Sequence, residues 1–331
     1  MKILVLGGAG YIGSHTVYRL IEQGHKVVVF DNFETGYYEA IHPDAEVYEG
    51  DLRNRADIDN VFDEESDIDA VIHFAANSLV GESMVKPLKY YDNNICGTKV
   101  LLESMVAHNI NRIVFSSTAA TYGEPIHTPI LENDPTNPTN CYGETKRAME
   151  RMFYWTEQAH GMKYVSLRYF NACGAHISGK IGEAHNPESH LIPIILQTAN
   201  GTRDHISVFG TDYDTPDGTC IRDYIHVTDL AQAHILAVEY LINGGESDIF
   251  NLGNGVGVSV KEVIETAKKV TGKEIKVVEE DRRAGDPAVL IASSEKAKKV
   301  LGWNPQYNEL STIIETAWKW HSTHPNGYKS N

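Results

Sequence analysis

The segment KILVLGGAGYIGSH, residues 2–15, restricts the possible folds of this chain more than any other stretch. An unbroken apolar run stops at glycines, the pattern of a strand buried on both faces. A helical pattern follows at once, from Tyr11 to Gln23. Gly7, Gly8, Gly10 and Gly13 occupy the turn between them and fit both the G-x-G-x-x-G and the G-x-x-G-x-x-G spacing. Glycines there permit a tight turn, let backbone approach a pyrophosphate, and let helix and strand pack closely. The first N–H groups of the helix then face the phosphates. A glycine turn alone is weak evidence, but the second strand, HKVVVFDN, ends in Asp31, where an acidic residue accepts hydrogen bonds from the adenosine ribose. Its charge would repel a 2′-phosphate, so NAD is expected over NADP.

The same rhythm continues through AEVYEGD, DAVIHFAA, RIVFSSTAATYG and KYVSLRYFNACG, with helical segments between, notably about 83–108 and 141–160. Strands alternating with helices imply an α/β fold with a doubly wound parallel sheet and right-handed crossovers. The loops about 124–140 and 174–190 are rich in Pro, Gly, Asn and Asp and read as excursions over the edge of the sheet.

Two features sit where such a sheet binds ligands, beyond the carboxyl ends of its strands. Ser116, Ser117 and Thr118 close one strand with hydroxyls. On the next helix, in CYGETK, Tyr142 and Lys146 stand four positions apart and therefore share a face. An ammonium near a phenol favours the phenolate, so the pair can form a base usable near neutral pH. Taken singly, each has a plain explanation: a turn cap, a solvated lysine, a tyrosine covering apolar surface. Their coincidence with the glycine loop does not.

Composition narrows the partners. The 331 residues carry 45 Asp and Glu against 29 Lys and Arg, a formal charge of −16, which argues against nucleic acid or an anionic membrane surface as partner. Cys96, Cys141, Cys173 and Cys220 are far apart, with no C-x-x-C pair, so neither a disulfide framework nor a zinc site is suggested, and no metal is expected. No apolar run approaches the ~18 residues of a membrane span, and the start of the chain does not read as a signal peptide. A reduced, cytoplasmic protein is expected.

The chain resembles the extended short-chain dehydrogenase/reductase superfamily, and within it the sugar-nucleotide 4-epimerases. The resemblance runs along nearly its whole length, through GGAGYIGSH, DN at Asp31–Asn32, GD at Gly50–Asp51, VIHFAA, VGES, KPLKYYDNN, FSSTAATYG, CYGETK, LRYFNACGAH, RDYIHVTDLA, NLGNG and GDPA. It implies a Rossmann-type domain over 1–175 binding NAD. A smaller C-terminal α/β domain over 176–331 would bind mainly the UDP-sugar, with segments about 222–240 returning to the Rossmann side. Related dehydratases place an Asp-Glu pair after the strand-end threonine, to protonate a departing hydroxyl. Ala119 and Ala120 stand there in this chain, so elimination lacks its acid and epimerisation remains.

The implied reaction interconverts UDP-galactose and UDP-glucose, in galactose metabolism, by transient oxidation at sugar C4, rotation of the ketose and return of the hydride. The resemblance makes Thr118, Tyr142 and Lys146 catalytic. It assigns to the cofactor Gly7, Gly10, Tyr11, Ile12, Gly13, Asp31, Asn32, Phe33, Thr35, Gly36, Asp51, Leu52, Phe74, Ala75, Ala76, Asn93 and Phe170, along with the catalytic three. The substrate falls to Thr118, Tyr142, Asn171, His190, Leu191, Ser207, Val208, Phe209, Arg222, Arg283, Asp286 and Leu290. Phe209 is expected to stack on uracil, the arginines to meet phosphate, and Asp286 to accept from the uridine ribose. Ser78 replaces a lysine that many relatives direct at the cofactor. Leu290 replaces a tyrosine that narrows the sugar pocket in some relatives, which raises N-acetylated UDP-sugars as further substrates. UDP-uronic acids, or an NAD-binding regulator without catalysis, are the competing readings. His226 is expected to be a packed structural residue, and the resemblance implies a homodimer formed through the helices about 83–108 and 141–160.

Overall fold

The computed structural model describes residues 1–283 and 286–328. Seven parallel strands form the central sheet, in the order Asp248–Leu252, Lys163–Tyr169, Arg112–Ser116, Ala70–His73, Lys2–Leu6, Lys26–Asp31 and Glu46–Glu49. The chain builds outward in one direction from Lys2–Leu6 through the next two strands, then resumes on its other side with Ala70–His73. That reversal opens a crevice at the carboxyl edge of the sheet. The register opposes Leu6 to both Phe30 and His73, so the glycine turn, Asp31 and Phe74 emerge side by side. Six of the strands are those read from the sequence. The seventh, Asp248–Leu252, joins the sheet beside Lys163–Tyr169 from the C-terminal half of the chain.

Both faces of the sheet are covered, which is why its strands read as continuous apolar runs. Leu4, Leu6, Phe30, Val71, Ile113 and Phe115 pack on Leu101, Met105, Met149 and Phe153. On the opposite face Ile3, Val5, Val29, Ile72 and Val114 meet Val17, Leu20, Leu230, Ala233 and Val238. Each such side chain contributes roughly 1.5–3 kcal/mol when fully buried. The helix Val227–Ile242 thereby lies against Tyr11–Glu22, and Arg19 Nε donates to Gln232 Oε1 at 3.1 Å across the pair. A separate core joins the helices Leu191–Asn200, Val260–Thr271 and Leu310–Thr323 through Ile195, Leu196, Ile264, Ile313 and Ala317.

The helical segment expected over about 83–108 is not one continuous helix. Val80–Val85 ends at Lys86, whose φ of −129° and ψ of 54° leave the helical region as expected before proline, and Pro87 begins the next turn. Between Tyr91 and Cys96 the helix widens to i→i+5 hydrogen bonding, then runs as an α-helix from Gly97 to Ala107. Such widened turns often mark functional sites. The helix expected over 141–160 spans Cys141–His160 and ends at Gly161 in the left-handed conformation, φ 71°.

Candidate active site

The helix carrying Tyr142 starts where the sequence can cap it. Asn140 takes an extended conformation and its side-chain oxygen accepts from Gly143 N at 2.8 Å, an interaction contributing about 1 kcal/mol. A Cβ at position 143 would stand 2.6 Å from the Ala120 carbonyl oxygen, so glycine is what lets this helix approach the strand end that bears Thr118. Tyr142 N donates to Ser83 Oγ at 3.1 Å, tying the first turn to the Val80–Val85 helix. Asn94, fully buried in the widened helix, donates to Thr145 Oγ1 at 3.0 Å and to Asn77 O at 3.1 Å, and accepts from Asn77 N at 2.8 Å. The helix Cys141–His160 is thus pinned to the loop that follows Phe74, Ala75 and Ala76.

Three hydroxyls end the strand, and their partners separate their roles. Ser116 Oγ is paired with the Tyr169 hydroxyl. Ser117 Oγ donates to Glu150 Oε1 at 2.6 Å. Thr118 Oγ1 accepts from Ala120 N at 3.1 Å, which leaves its proton to donate, and its hydroxyl lies against the phenol of Tyr142. Lys146 is 3 % exposed; its Nζ donates to the Ser116 carbonyl at 2.9 Å and lies 4.7 Å from the centre of the Phe115 ring. Burial lowers its pKa to about 7, opposed by the charge of Glu150. Burial also pushes Tyr142 up to about 12, with the Thr118 hydroxyl acting in the opposite direction. Lys146 therefore does not by itself produce the low phenol pKa expected from its spacing, because burial outweighs its charge at the phenol.

At the glycine loop, a Cβ on residue 13 would fall 2.1 Å from Gly7 O, so strand and helix touch there. At Gly10, the residue preceding the helix, the nearest atom to a Cβ would be Gly7 O at 3.4 Å. Protein packing does not demand glycine at position 10, which fits a backbone that a dinucleotide would approach closely. Asp31, 8 % exposed, accepts from Ala9 N through Oδ2 and from Phe33 N through Oδ1, both at 2.9 Å. Each oxygen keeps lone-pair capacity for a ribose hydroxyl. Burial raises its pKa. Phe33 holds a positive φ of 55°, a conformation uncommon outside glycine and concentrated at functional sites.

Farther along the rim, Asp51 binds Arg53 through both oxygens, at 2.9 and 2.6 Å, which brings its pKa to about 2. Asn77 Nδ2 is buried with no hydrogen-bond partner among the described residues. A cradle with an unfilled Cβ position, a buried carboxylate at the next strand end and an orphaned amide donor fit a bound dinucleotide. Tyr11 carries the loop across to the C-terminal half by donating to Gly174 O at 2.6 Å. Ile12 and Leu52 turn into the core, Asn93 Nδ2 donates to Asn94 at 3.1 Å, and Thr35 is exposed.

The residues expected at the substrate fall into two groups. Arg222 lies opposite Leu290 in a short parallel pair and reaches Asp286 Oδ1 at 3.5 Å and Pro287 O at 2.9 Å. Leu290 and Phe170 pack on Ala119 and Tyr122, next to Thr118. In the second group the strand Ile206–Phe209 alternates: Ser207 and Phe209 are partly exposed, whereas the Val208 side chain is buried in the C-terminal core, leaving only its backbone to a ligand. The Arg283 guanidinium lies 3.8 Å from the centre of the Phe209 ring, so the residue expected at the phosphate stacks on the residue expected at uracil. Ala284 and Gly285, within RRAGDPA, lie outside the described residues. Asn171 N donates to Asp223 O at 3.3 Å, and His190 directly precedes the Leu191–Asn200 helix, its ring paired with Glu183.

Several positioning residues carried no sequence signal. Ser83 and Asn94 lie in the VGES and KPLKYYDNN blocks but act only through tertiary hydrogen bonds. Asp223, fully buried with a pKa raised by burial to about 6, accepts from Asn254 N at 2.8 Å and holds the NLGNG loop to the RDYIHV strand. His226 is structural, as expected: its Nε2 meets Thr316 Oγ1 at 2.9 Å and its Nδ1 accepts from Thr228 N at 3.1 Å.

A parallel sheet with a glycine turn and a buried aspartate at successive strand ends, and with threonine, tyrosine and lysine gathered at its carboxyl edge, carries the groups that an enzyme moving hydride and proton at a carbinol carbon would need. The family model described as the NAD dependent epimerase/dehydratase family matches residues 3–253. A UDP-glucose 4-epimerase of Halalkalibacterium halodurans is 59 % identical over 330 residues, covering 100 % of this chain and 98 % of the relative. A solved UDP-glucose 4-epimerase structure, 56 % identical, superposes with a TM-score of 0.98 and full coverage of both chains. Another, from Bifidobacterium longum in complex with NAD+ and UDP, is 40 % identical with a TM-score of 0.93, covering 99 % of this chain and all of that one. The chain belongs to the NAD dependent epimerase/dehydratase family.

Proposed function

We propose that the chain is an NAD-dependent 4-epimerase interconverting UDP-galactose and UDP-glucose. The observation that carries this reading is the Thr118 hydroxyl set close to the Tyr142 phenol, with Ala119 and Ala120 leaving no acid to expel a hydroxyl. The full-length likeness to UDP-glucose 4-epimerases supports it over N-acetyl or uronic-acid specialists.

The glycine loop, Asp31 and the rim from Phe74 to Asn93 would hold NAD. When bound, NAD supplies the hydride acceptor at sugar C4 and a positive ring that favours the Tyr142 phenolate. Tyr142 takes the O4 proton, Thr118 orients that oxygen and shares the proton, and Lys146 fixes the edge of the site through Ser116. Arg222 and Arg283 are assigned to the diphosphate and Asp286 to the ribose, so the nucleotide stays anchored while the ketose turns. Within this reading, residues 1–175 with the returning segments bind NAD, and the remainder of 176–331 binds mainly the UDP-sugar. We place the enzyme in the cytoplasm as a homodimer. Among the described residues no helix is long and apolar enough to cross a membrane, and Leu102, Val106, Met152 and the exposed Trp155 line a groove between the two expected interface helices.

The test is to mix purified protein with UDP-galactose, add no cofactor, and resolve the nucleotide sugars. UDP-glucose should form, NAD should be recovered from the denatured protein, and Tyr142→Phe should abolish turnover while retaining NAD. Failure of the unmodified protein to form UDP-glucose even with NAD supplied would overturn the assignment.

A further inference from the structure

We propose that Glu183, His185, Glu188 and His190 form a binding site for one divalent transition cation of the zinc class, beside the substrate region to which His190 is assigned. The four residues follow Glu-x-His-x-x-Glu-x-His spacing, and one donor atom from each lies within 4.8 Å of every other. His185 Nδ1 stands 3.2 Å from Glu183 Oε1 and 3.6 Å from Glu188 Oε2; His190 Nδ1 stands 3.9 Å from Glu188 Oε1 and close against Glu183 Oε1. Four donors about 2.0–2.2 Å from a tetrahedral ion are separated from one another by roughly 3.3–3.6 Å. The separations found here bracket that spacing. An ion at their centre needs only small side-chain adjustments.

A second observation points inward. His185 Nδ1 is shut off from solvent and faces carboxylate oxygens at 3.2 and 3.6 Å without meeting well-aligned hydrogen-bond geometry to either. An imidazole nitrogen in that position suits a metal better than a hydrogen bond it does not make. The carboxylates are already held in place. The Glu183 side chain is 3 % exposed, and its backbone carbonyl accepts from Trp320 Nε1 at 3.0 Å. Glu188 Oε1 accepts from Ser189 N and His190 N at 2.8 and 3.0 Å. Two imidazoles with two carboxylates favour zinc-type ions over magnesium or calcium, which prefer oxygen alone. Two carboxylates balance the charge of the dication.

Four protein donors close the coordination sphere, the hallmark of a structural rather than a catalytic ion. Its position gives it work to do. His185 lies edge-on to Tyr11 of the glycine loop, with centroids 6.2 Å apart, and His190 is the residue on which the Leu191–Asn200 helix begins. The ion would bind the loop 174–190 into a fixed strap joining the dinucleotide turn to that helix. The pattern stands in the sequence as EAHNPESH, without any cysteine pair to mark it.

Untagged full-length protein, treated with a chelator and dialysed, would be titrated with zinc chloride, with magnesium chloride as control, and its cobalt(II) form examined by visible absorption. The expected result is one zinc per chain, no competition by magnesium, a tetrahedral cobalt spectrum, and a thermal midpoint raised by zinc. His185→Gln and Glu188→Gln, each checked for folding by circular dichroism, should each weaken zinc binding by at least about tenfold and abolish the midpoint rise. The proposal is overturned if the parent binds no zinc stoichiometrically, if magnesium displaces it, if cobalt is octahedral, or if folded variants bind as the parent does.

Discussion

Lys146 lies beside Tyr142 but aims elsewhere: its Nζ is 5.9 Å from the centre of the phenol ring and donates to the Ser116 carbonyl at 2.9 Å. A buried amine with one neutral acceptor is an expensive arrangement, visible in a pKa lowered from 10.5 to about 7.

The first prediction follows from that cost. In the unfolded chain Lys146 titrates near 10.5, in the folded chain near 7, so between those values the unfolded state binds more protons. The folded state therefore loses stability as pH falls from 10.5 toward about 7, and loses little more below it. Near pH 7 the shift corresponds to about 4 kcal/mol. Lys146→Met removes that penalty but strands the Ser116 carbonyl, at about 1–3 kcal/mol. With cofactor stripped equally from both proteins, the variant is expected to be more stable by about 2 kcal/mol at neutral pH. The advantage should shrink as pH approaches 10, and turnover should be lost. Urea midpoints across that range check it; a variant less stable at pH 7 with an unchanged pH slope contradicts it.

A second prediction concerns Glu150, one turn beyond Lys146 on the same helix. It is 5 % exposed and accepts from Arg168 Nε at 2.9 Å, Arg168 Nη2 at 2.6 Å and Ser117 Oγ at 2.6 Å. This bidentate pair fastens the catalytic helix to the strand Lys163–Tyr169 directly beneath the hydroxyl-bearing strand end. Arg168 is 4 % exposed, so removing its partner leaves a buried charge uncompensated. Glu150→Gln should destabilise by about 3–5 kcal/mol, whereas adding Arg168→Met should recover much of the loss. Thermal or urea unfolding of the two single variants and the double variant decides it. Additive losses would mean that the pair is not coupled.

The sheet was legible because both its faces are buried: apolar runs such as KVVVFD leave little choice of structure, and glycine with aspartate at successive strand ends marks the cofactor edge. The seventh strand, Asp248–Leu252, was not, because its burial depends on a neighbour, Lys163–Tyr169, far away in sequence. The break at Lys86 was written in Pro87 but masked by helical periodicity on either side. Of the candidate site, Thr118, Tyr142 and Lys146 could be put forward from type and spacing, since chemistry restricts identity, and the structure brings them to one edge of the sheet. Ser83, Asn94 and Glu150 were not, since many residue types satisfy a sequence pattern and only the folded contacts show what these three hold. Val208 was assigned with its neighbours as one block, although strand alternation turns its side chain away from them.

The glycine loop yields the last prediction, because two of its glycines are needed for different reasons. At Gly13 a methyl group would meet Gly7 O at 2.1 Å, closer than any real contact, so Gly13→Ala must push the helix off the strand. At Gly10 the same methyl would meet only Gly7 O at 3.4 Å, an ordinary contact, and the backbone φ of −77° suits alanine. Gly13→Ala should therefore lower stability by several kcal/mol, of the order seen for overpacking or backbone strain in a close-packed interior. Gly10→Ala should fold with a melting point near that of the cofactor-free parent, yet bind NAD far more weakly, since its methyl projects into the space the pyrophosphate needs. Melting curves without cofactor and NAD titration of both variants separate the two effects. Equal loss of stability in both would mean that position 10 is governed by packing of the chain itself, and the case for a dinucleotide lying on that backbone would lose its main support.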